Sequence, residues 1–503
     1  MGNLSKSRYT LYRQCPRALW LKTYMPDEAE KDPGLEKRFE EGTRIGRLAQ
    51  GLFGGFTDVT AHKEDGGLDL AAMIARTRQC MADGAENICE ASFSAGGCFC
   101  SVDILRRTAG GYALYEVKSS TFSPSSGDMG KLERYAPDIA FQKWVLEQCG
   151  VKVTQANLVC LNADYVRGED LDVRALFAVI PMDAFIAGEY ALVPENVPLA
   201  QKLLDLAEEP QCALSACCNA PYHCAFWQHC ARILPEHSVF DLYRMGFSDK
   251  LAAWGRGIAT FEDALGSLKL TPVQRMQAEC TLNRSSHVDR QGIAAFLDGL
   301  RYPLYYLDFE TMMPAVPPFR GTSPYQQIPF QYSLHIVRKE GAEPEHREFL
   351  GESGTDTRRP LAERLCADIP QGACVIAYNK AFECSRLEEL AQAFPDLAAH
   401  LRSIKGNILD LLDPFKAGYC YVPAMGRSFS IKSVLPALFP GDPELDYHAL
   451  GMVQNGGEAM DIFPRIASMP QEEAQKAREA LLQYCRLDTW AMVRVLEKLR
   501  QMC

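Results

Sequence analysis

The run Tyr302-Pro303-Leu304-Tyr305-Tyr306-Leu307-Asp308-Phe309-Glu310-Thr311 is apolar and aromatic until two acids enter it two positions apart. Such a run predicts a buried strand, and because side chains alternate faces, Asp308 and Glu310 point the same way. Residues 327–335 and 375–379 predict two more strands. A helix begins near Ala381-Phe382-Glu383, with Leu387, Leu390 and Phe394 on its apolar face. Residues 408–412 follow after a further helix, and a long helix covers about 471–500, with Tyr484 and Asp488 four apart on one face. Upstream, 4–22 has helical spacing broken at Cys15-Pro16, and 34–53 predicts a second helix. Short strands at 88–93, 99–105 and 112–118 are separated by the turn signals Ala95-Gly96-Gly97 and Gly110-Gly111. Glycine-broken helical segments fill 239–265 and act either as a spacer or as a phosphate-backbone contact. The pattern is α/β in three parts: a mixed-sheet domain at 1–235, a helical linker at 236–295 and a second α/β domain at 296–503.

Length supports this division, since 503 residues exceed what one ordinary core accommodates. At 47% apolar and 23% charged residues the composition is that of a globular protein, and no apolar run is long enough to predict a membrane span. The N-terminal residues lack the apolar core of a signal peptide, so a cytoplasmic protein is expected. A net charge of −11 gives no bulk attraction to nucleic acid, yet it leaves room for a local basic groove.

Two carboxylates side by side at the end of a buried strand repel each other and lose hydration, a costly arrangement unless a cation lies between them. Oxygen ligands of this kind suit Mg2+ or Mn2+. The other reading of Asp308 and Glu310 is a charged strand end facing water. In the first part, Glu116 and Lys118 flank Val117 and share a face, with Asp103 from the neighbouring strand beside them. Two acids can hold a divalent ion and a lysine can orient or deprotonate water. A solvated strand face would look the same.

The wider arrangement, Asp-x12-Glu-x-Lys followed by a helix with Asp138-Ile139-Ala140-Phe141-Gln142, resembles the PD-(D/E)xK nuclease superfamily. Glu116-Val117-Lys118-Ser119-Ser120 looks most like its RecB-like exonuclease branch. The resemblance implies metal binding by Asp103 and Glu116, water activation by Lys118 and a supporting role for Gln142. Many RecB-like members carry a His on the early helix; Glu41–Gly46 offers none, leaving Glu41 or Glu90 as substitutes.

Five cysteines crowd residues 212–230, and all 19 cysteines of the chain are expected as thiols or ligands rather than disulfides. Cys218-x5-Cys224-x5-Cys230 is too wide for the usual zinc knuckle and, with Cys15 far upstream, suits an iron–sulfur cluster; zinc and free thiols stay open. RecB-like nucleases with iron–sulfur staples show this one-plus-three layout, which implies a 4Fe-4S cluster on Cys15, Cys218, Cys224 and Cys230, with Cys217 or Cys212 as replacements for Cys218.

The order Asp308-x-Glu310, then Glu383 after Tyr378-Asn379-x2-Phe382, then Tyr484-x3-Asp488 resembles the Tyr subtype of the DnaQ-like DEDD exonucleases, of RNase H-like fold. The His subtype would need a His where Gln483 stands. The resemblance implies two divalent metals on Asp308, Glu310, Glu383 and Asp488, with Tyr484 positioning the attacking water; Glu383 replaces the family's Asp. The whole chain looks like an uncharacterised bacterial family pairing these two domains. A metal-dependent nuclease acting on nucleic-acid ends or single strands, DNA ahead of RNA, is the expected function. The alternatives are a nucleic-acid-binding scaffold with one or both centres inactive, and an iron–sulfur redox sensor.

Overall fold

The structure, a computed structural model, describes residues 4–503. It is mixed α/β and divides into two units, Met1–Ile233 with Ala315–Tyr325, and Leu234–Pro314 with Gln326–Cys503. Two features differ from the tripartite expectation. The helical stretch 236–295 belongs to the second unit, and Ala315–Tyr325 packs in the first, where Ala315 and Val316 join a core with Ile45, Ala49 and Ile104.

In the first unit, β1 (Leu4–Ser5), β2 (Thr57–Asp58), β3 (Asn87–Ala95), β4 (Cys98–Thr108), β5 (Gly111–Phe122), β6 (Val153–Asn162) and β7 (Phe177–Pro181) form one sheet. Its order is β2-β3-β4-β5-β6-β7, with β1 on β4. The expected three-strand meander is therefore the centre of a larger sheet. Gly96 and Gly97 both have positive φ, as the two-residue turn joining β3 to β4 requires. Gly111 is needed for another reason: a Cβ there would lie 2.2 Å from the Lys152 carbonyl oxygen. β6 runs parallel to β5, and the crossover between them contains the helix Ala136–Gln148. Alternation along the strands supplies both faces of the sheet. Val102 and Leu114 pack with Ile139 and Phe141 on one side, and Ile104, Ala113 and Tyr115 pack with Ile45 and Ala49 on the other. The N-terminal helices Lys6–Gln14 and Pro16–Tyr24 break at Cys15, as the Cys-Pro step predicts.

The second unit contains β8 (His287–Val288), β9 (Leu304–Met312), β10 (Ile328–Val337), β11 (Glu345–Leu350), β12 (Cys374–Ala377), β13 (Ile408–Asp410) and β14 (Cys420–Tyr421). β11-β10-β9-β12-β13 is the main sheet, antiparallel through β9 and parallel beyond it. Leu307, Phe309, Leu334 and Ile336 face Leu361, Leu387, Leu390 and Leu401. The closing helix Gln471–Gln501 packs on β9 and β10. No helix of the described residues is long and apolar enough to cross a membrane.

Candidate functional site

The acids of β9 lie among groups that tighten their electrostatics. One ligand atom each from Asp308, Glu310 and Cys485 lie within 4.8 Å of one another. The Cys485 thiol points at Asp308 Oδ2, 3.7 Å away. Asp488 Oδ1 accepts from the Tyr447 hydroxyl at 2.6 Å. Burial, then the charges of Asp488, Glu310 and Glu383, push the Asp308 carboxyl well above the usual range. Burial and Asp488 do the same to Glu310, against the pull of Lys432. Burial raises Asp488 to about 6, moderated by hydrogen bonds from Tyr447 and Tyr484 and by Lys432. The Lys432 ammonium lies 5.2 Å from the Tyr447 ring centroid and 5.4 Å from that of Tyr484.

Glu383 stands at the start of the helix Ala381–Ala393. Burial raises its carboxyl to about 8, and its buried Oε2 has no hydrogen-bond partner. The turn before it is held by Asp410, whose Oδ1 accepts the Asn379 and Leu412 N–H groups at 2.8 and 3.1 Å. Asn379 has a φ of 65°, a left-handed conformation that Asn tolerates better than most residues. Asp308 and Glu310 thus feel Asp488 and Glu383, and Tyr484 feels Asp488, Glu310 and Asp308, whereas the charges acting on Glu383 itself are Asp410 and Arg386. Tyr447, Lys432, Cys485 and Asp410 were not among the residues predicted for this centre. Cys485 was legible in retrospect, since it follows Tyr484 on the helix; Lys432 lies in the first turn of the short helix Ile431–Leu438 and Tyr447 opens a single 3-10 turn, elements too short for their periodicity to show where they pack.

In the first unit, β4, β5 and the helix Ala136–Gln148 bring Asp103, Glu116, Lys118 and Gln142 together. Glu116 is 1% exposed. It accepts from Lys118 Nζ at 2.6 Å, from Lys6 Nζ at 2.9 and 3.0 Å and from Gln142 Nε2 at 2.8 Å. Asp138, one helical turn before Gln142, accepts from Lys118 at 2.8 Å and from Gln142 at 3.0 Å, with Lys6 3.8 Å away. Asp103 accepts the Val117 N–H at 2.6 Å. Burial opposes the charge on Glu116, but Lys118 and Lys6 outweigh it and hold the carboxyl below its usual range. Burial and then Glu116 push Asp103 up to about 8, although Lys6 and Lys118 pull the other way. Lys6 and Asp138 are the residues that sequence reasoning gave no role. Of the two substitutes for the missing His, Glu90 sits across from Asp103 at a positive φ of 56° and feels Lys6 and Glu116, whereas Glu41 accepts from the Tyr325 hydroxyl at 3.4 Å.

The cysteine segment closes on the N-terminal helices. Cys15 and Cys224 share a small core with Ala18, Trp20, Leu21 and Phe226, and Cys217 and Cys230 pack against it. Cys218 is buried alongside, its carbonyl accepting the Cys224 N–H at 3.0 Å. Cys217 packs against this core and Cys218 is the more buried of the pair, interacting with both Cys217 and Cys224. Every cysteine is a free thiol. Burial pushes the Cys15 thiol up to about 12 and Cys218 to about 11, and raises Cys224 and Cys230. Gln14 pins the segment by donating to the Cys217 and Tyr222 carbonyls at 2.9 and 2.7 Å.

No curated protein matches the sequence. A family model described as a domain of unknown function (DUF2779) matches residues 305–430, a stretch that carries Asp308, Glu310 and Glu383 and ends before Tyr484 and Asp488.

Proposed function

We propose that the chain is a metal-dependent nuclease, cytoplasmic and acting on DNA ahead of RNA, whose principal centre is Asp308, Glu310, Glu383 and Asp488. One observation carries this reading: Asp308, Glu310 and Cys485 bring ligand atoms within 4.8 Å of one another, Asp488 and Glu383 add their charge to that cluster, and Glu383 keeps a buried oxygen without a partner. Such a set fits divalent cations and little else. The donors are hard oxygens, which suits Mg2+ or Mn2+. Burial and the carboxylates beside it keep Cys485 a protonated thiol that donates to Asp308, so it positions that acid rather than acting as a soft ligand. Bound divalent ions supply a more acidic water and charge stabilisation at the leaving oxygen. Tyr484 orients the attacking water, Tyr447 fixes Asp488, and Asp410 fixes the turn that presents Glu383. The mixed sheet with its closing helix, which carries Tyr484 and Asp488, supports the DnaQ-like reading of this unit. The hairpins, crossover helix and parallel β6 support the PD-(D/E)xK reading of the first.

End-labelled single- and double-stranded DNA and RNA, incubated with manganese or with EDTA, test the proposal. Metal-dependent shortening of a labelled strand is expected, and its absence on all four substrates would remove the reading. Tyr484→Phe should leave metal affinity unchanged and lower the cleavage rate by ~10²-fold. A parallel loss of metal binding would instead make the hydroxyl part of the metal shell.

In the first unit, a specific observation favours a second reading. Lys6 and Lys118 already neutralise Glu116, so a divalent ion there competes with an ammonium group. The centre is then a phosphate-binding platform. With Asp308→Asn silencing the other centre, no cleavage should remain. Residual cleavage that Lys118→Ala lowers by ~10²-fold would overturn the platform and make this a second catalytic centre. The cysteine core is proposed to hold a 4Fe-4S cluster through Cys15, Cys224, Cys230 and either Cys217 or Cys218, zinc being the alternative.

A further inference from the structure

Beside the Lys6–Lys118 centre lies a cavity of about 500 Å3 lined by Thr10, Lys118, Arg134, Tyr135 and Tyr222 among others. A second, of about 650 Å3, shares Ser7, Thr10, Arg134 and Tyr222 with it and continues past Arg13 and Lys22. The shared residues make the two one groove, and its middle is built around a guanidinium. Arg134 is 4.8 Å from the Tyr135 ring centroid and 5.8 Å from that of Tyr222. Tyr135 is buried and anchored by its hydroxyl on Ser120 Oγ at 2.9 Å, whereas Tyr222 is 49% exposed. The backbone of Tyr222 is held by Gln14, so its ring is presented on a fixed support.

We infer that Arg134 and Tyr222 form a base-stacking clamp that grips an unpaired nucleotide of single-stranded DNA next to the Lys6–Lys118 centre. This rests on the nuclease reading above and adds how that centre selects its strand. An exposed ring beside a guanidinium is the pairing that single-strand grooves use, with the ring on a base face and the cation on base and phosphate. Bases inside a duplex are already stacked on both faces and cannot use it. The lining offers lysine, arginine and hydroxyl donors that suit phosphate oxygens. Of the carboxylates lining the groove, Glu189 is taken by Arg13 at 2.8 Å while Glu133 lies exposed beside Arg134, so the choice of DNA follows the proposed function and is left to the probes below.

The test uses the full-length protein in EDTA, so that binding is read without cleavage, with fluorescein-labelled oligothymidine as probe. Tyr222→Ala should weaken binding ~5- to 100-fold, with the slope of log affinity against log salt unchanged. Tyr222→Phe should restore it. Arg134→Ala should weaken binding and make that slope shallower by about 0.7. Tyr222 is half exposed and its pinned carbonyl survives substitution, so the variant should keep the wild-type circular dichroism and melting curve. Wild-type affinity in Tyr222→Ala, or equal losses for single-stranded and duplex probes, would overturn the clamp. Tighter binding of oligouridine than of oligothymidine would overturn the assignment to DNA. Failure of the wild-type protein to bind any of these probes would instead count against the nuclease reading on which the clamp rests.

Discussion

Asp308→Asn should raise the melting temperature of the metal-free protein at pH 8 and remove the further rise that Mn2+ gives the wild type. The carboxyl is desolvated and feels the charges of Asp488, Glu310 and Glu383, so ionising it in the absence of metal costs stability. An amide keeps the shape and removes one charge from the cluster. Metal at ~100 times its Kd stabilises a folded protein by about 2.7 kcal/mol, which for a unit of this size is roughly 5–10 °C. The variant should lose most of that shift and, with it, cleavage at this centre. A wild-type melting curve that ignores Mn2+ would remove the metal reading altogether.

The same groups set a pH dependence with a definite sign. Glu383 and Asp488 are raised in the folded state, to about 8 and about 6. A group raised on folding lends stability below its unfolded pKa and loses it as pH rises through the folded value. Metal-free wild type should therefore melt higher at pH 6.5 than at pH 8, and saturating metal should flatten the difference. Further acidification reverses the trend. Burial lowers His335 to about 3 and, with Arg486, lowers His346 to about 4. Their stability is present above the unfolded value near ~6.5 and is lost as pH falls through the folded ones. A hydrogen-bonded chain through Ser333 and Thr489 joins these imidazoles to the helix that carries Asp488. Acid damage should therefore reach the centre through its own scaffold.

The strand around Asp308 and the helix with Tyr484 and Asp488 were legible because period-2 and i,i+4 spacing alone decide which side chains share a face. β6 and β7 were not. Val153–Asn162 is buried along both faces, and such a run shows no alternation to read. The helix Asp183–Leu204 carries Pro194 and Pro198 inside it, signals that argue for a break until packing against Ala136–Gln148 overrides them. Lys6 escaped for a different reason. Its role comes from Ser5 capping the first helix, which holds Lys6 in the opening turn, and from β1 pairing with β4, which carries that turn to Glu116. Neither contact is encoded locally. The preference for Cys218 over Cys217 came from even spacing; in the structure Cys217 packs against the Cys15 core while Cys218 is the more buried, so both are carried as candidates.

Cys224→Ala should bleach an anaerobically purified protein that is otherwise brown, with broad absorption near ~400 nm from thiolate-bound iron. Cys224 is in the core of the segment, between Cys15 and the Cys230 turn, and its N–H is fixed by Cys218. Without metal these thiols are raised by burial and stay protonated, so the core is held by Trp20, Leu21 and Phe226 alone. Ligation would add a bond between residues 15 and 224, closing almost the whole first unit as one loop and removing that freedom from its unfolded chain. Structural metal sites of this kind contribute on the order of 10 kcal/mol to folding. The first unit of the variant should thus become protease-sensitive while the second, with no part in the staple, keeps its melting transition and its metal response. Cys217→Ala and Cys218→Ala compared side by side identify the fourth ligand, and loss of colour is expected for Cys217, which packs against the Cys15 core. Stoichiometric zinc with no iron or sulfide would replace the cluster by a zinc staple; full stability and no bound metal in the wild type would leave the five cysteines as a plain thiol core.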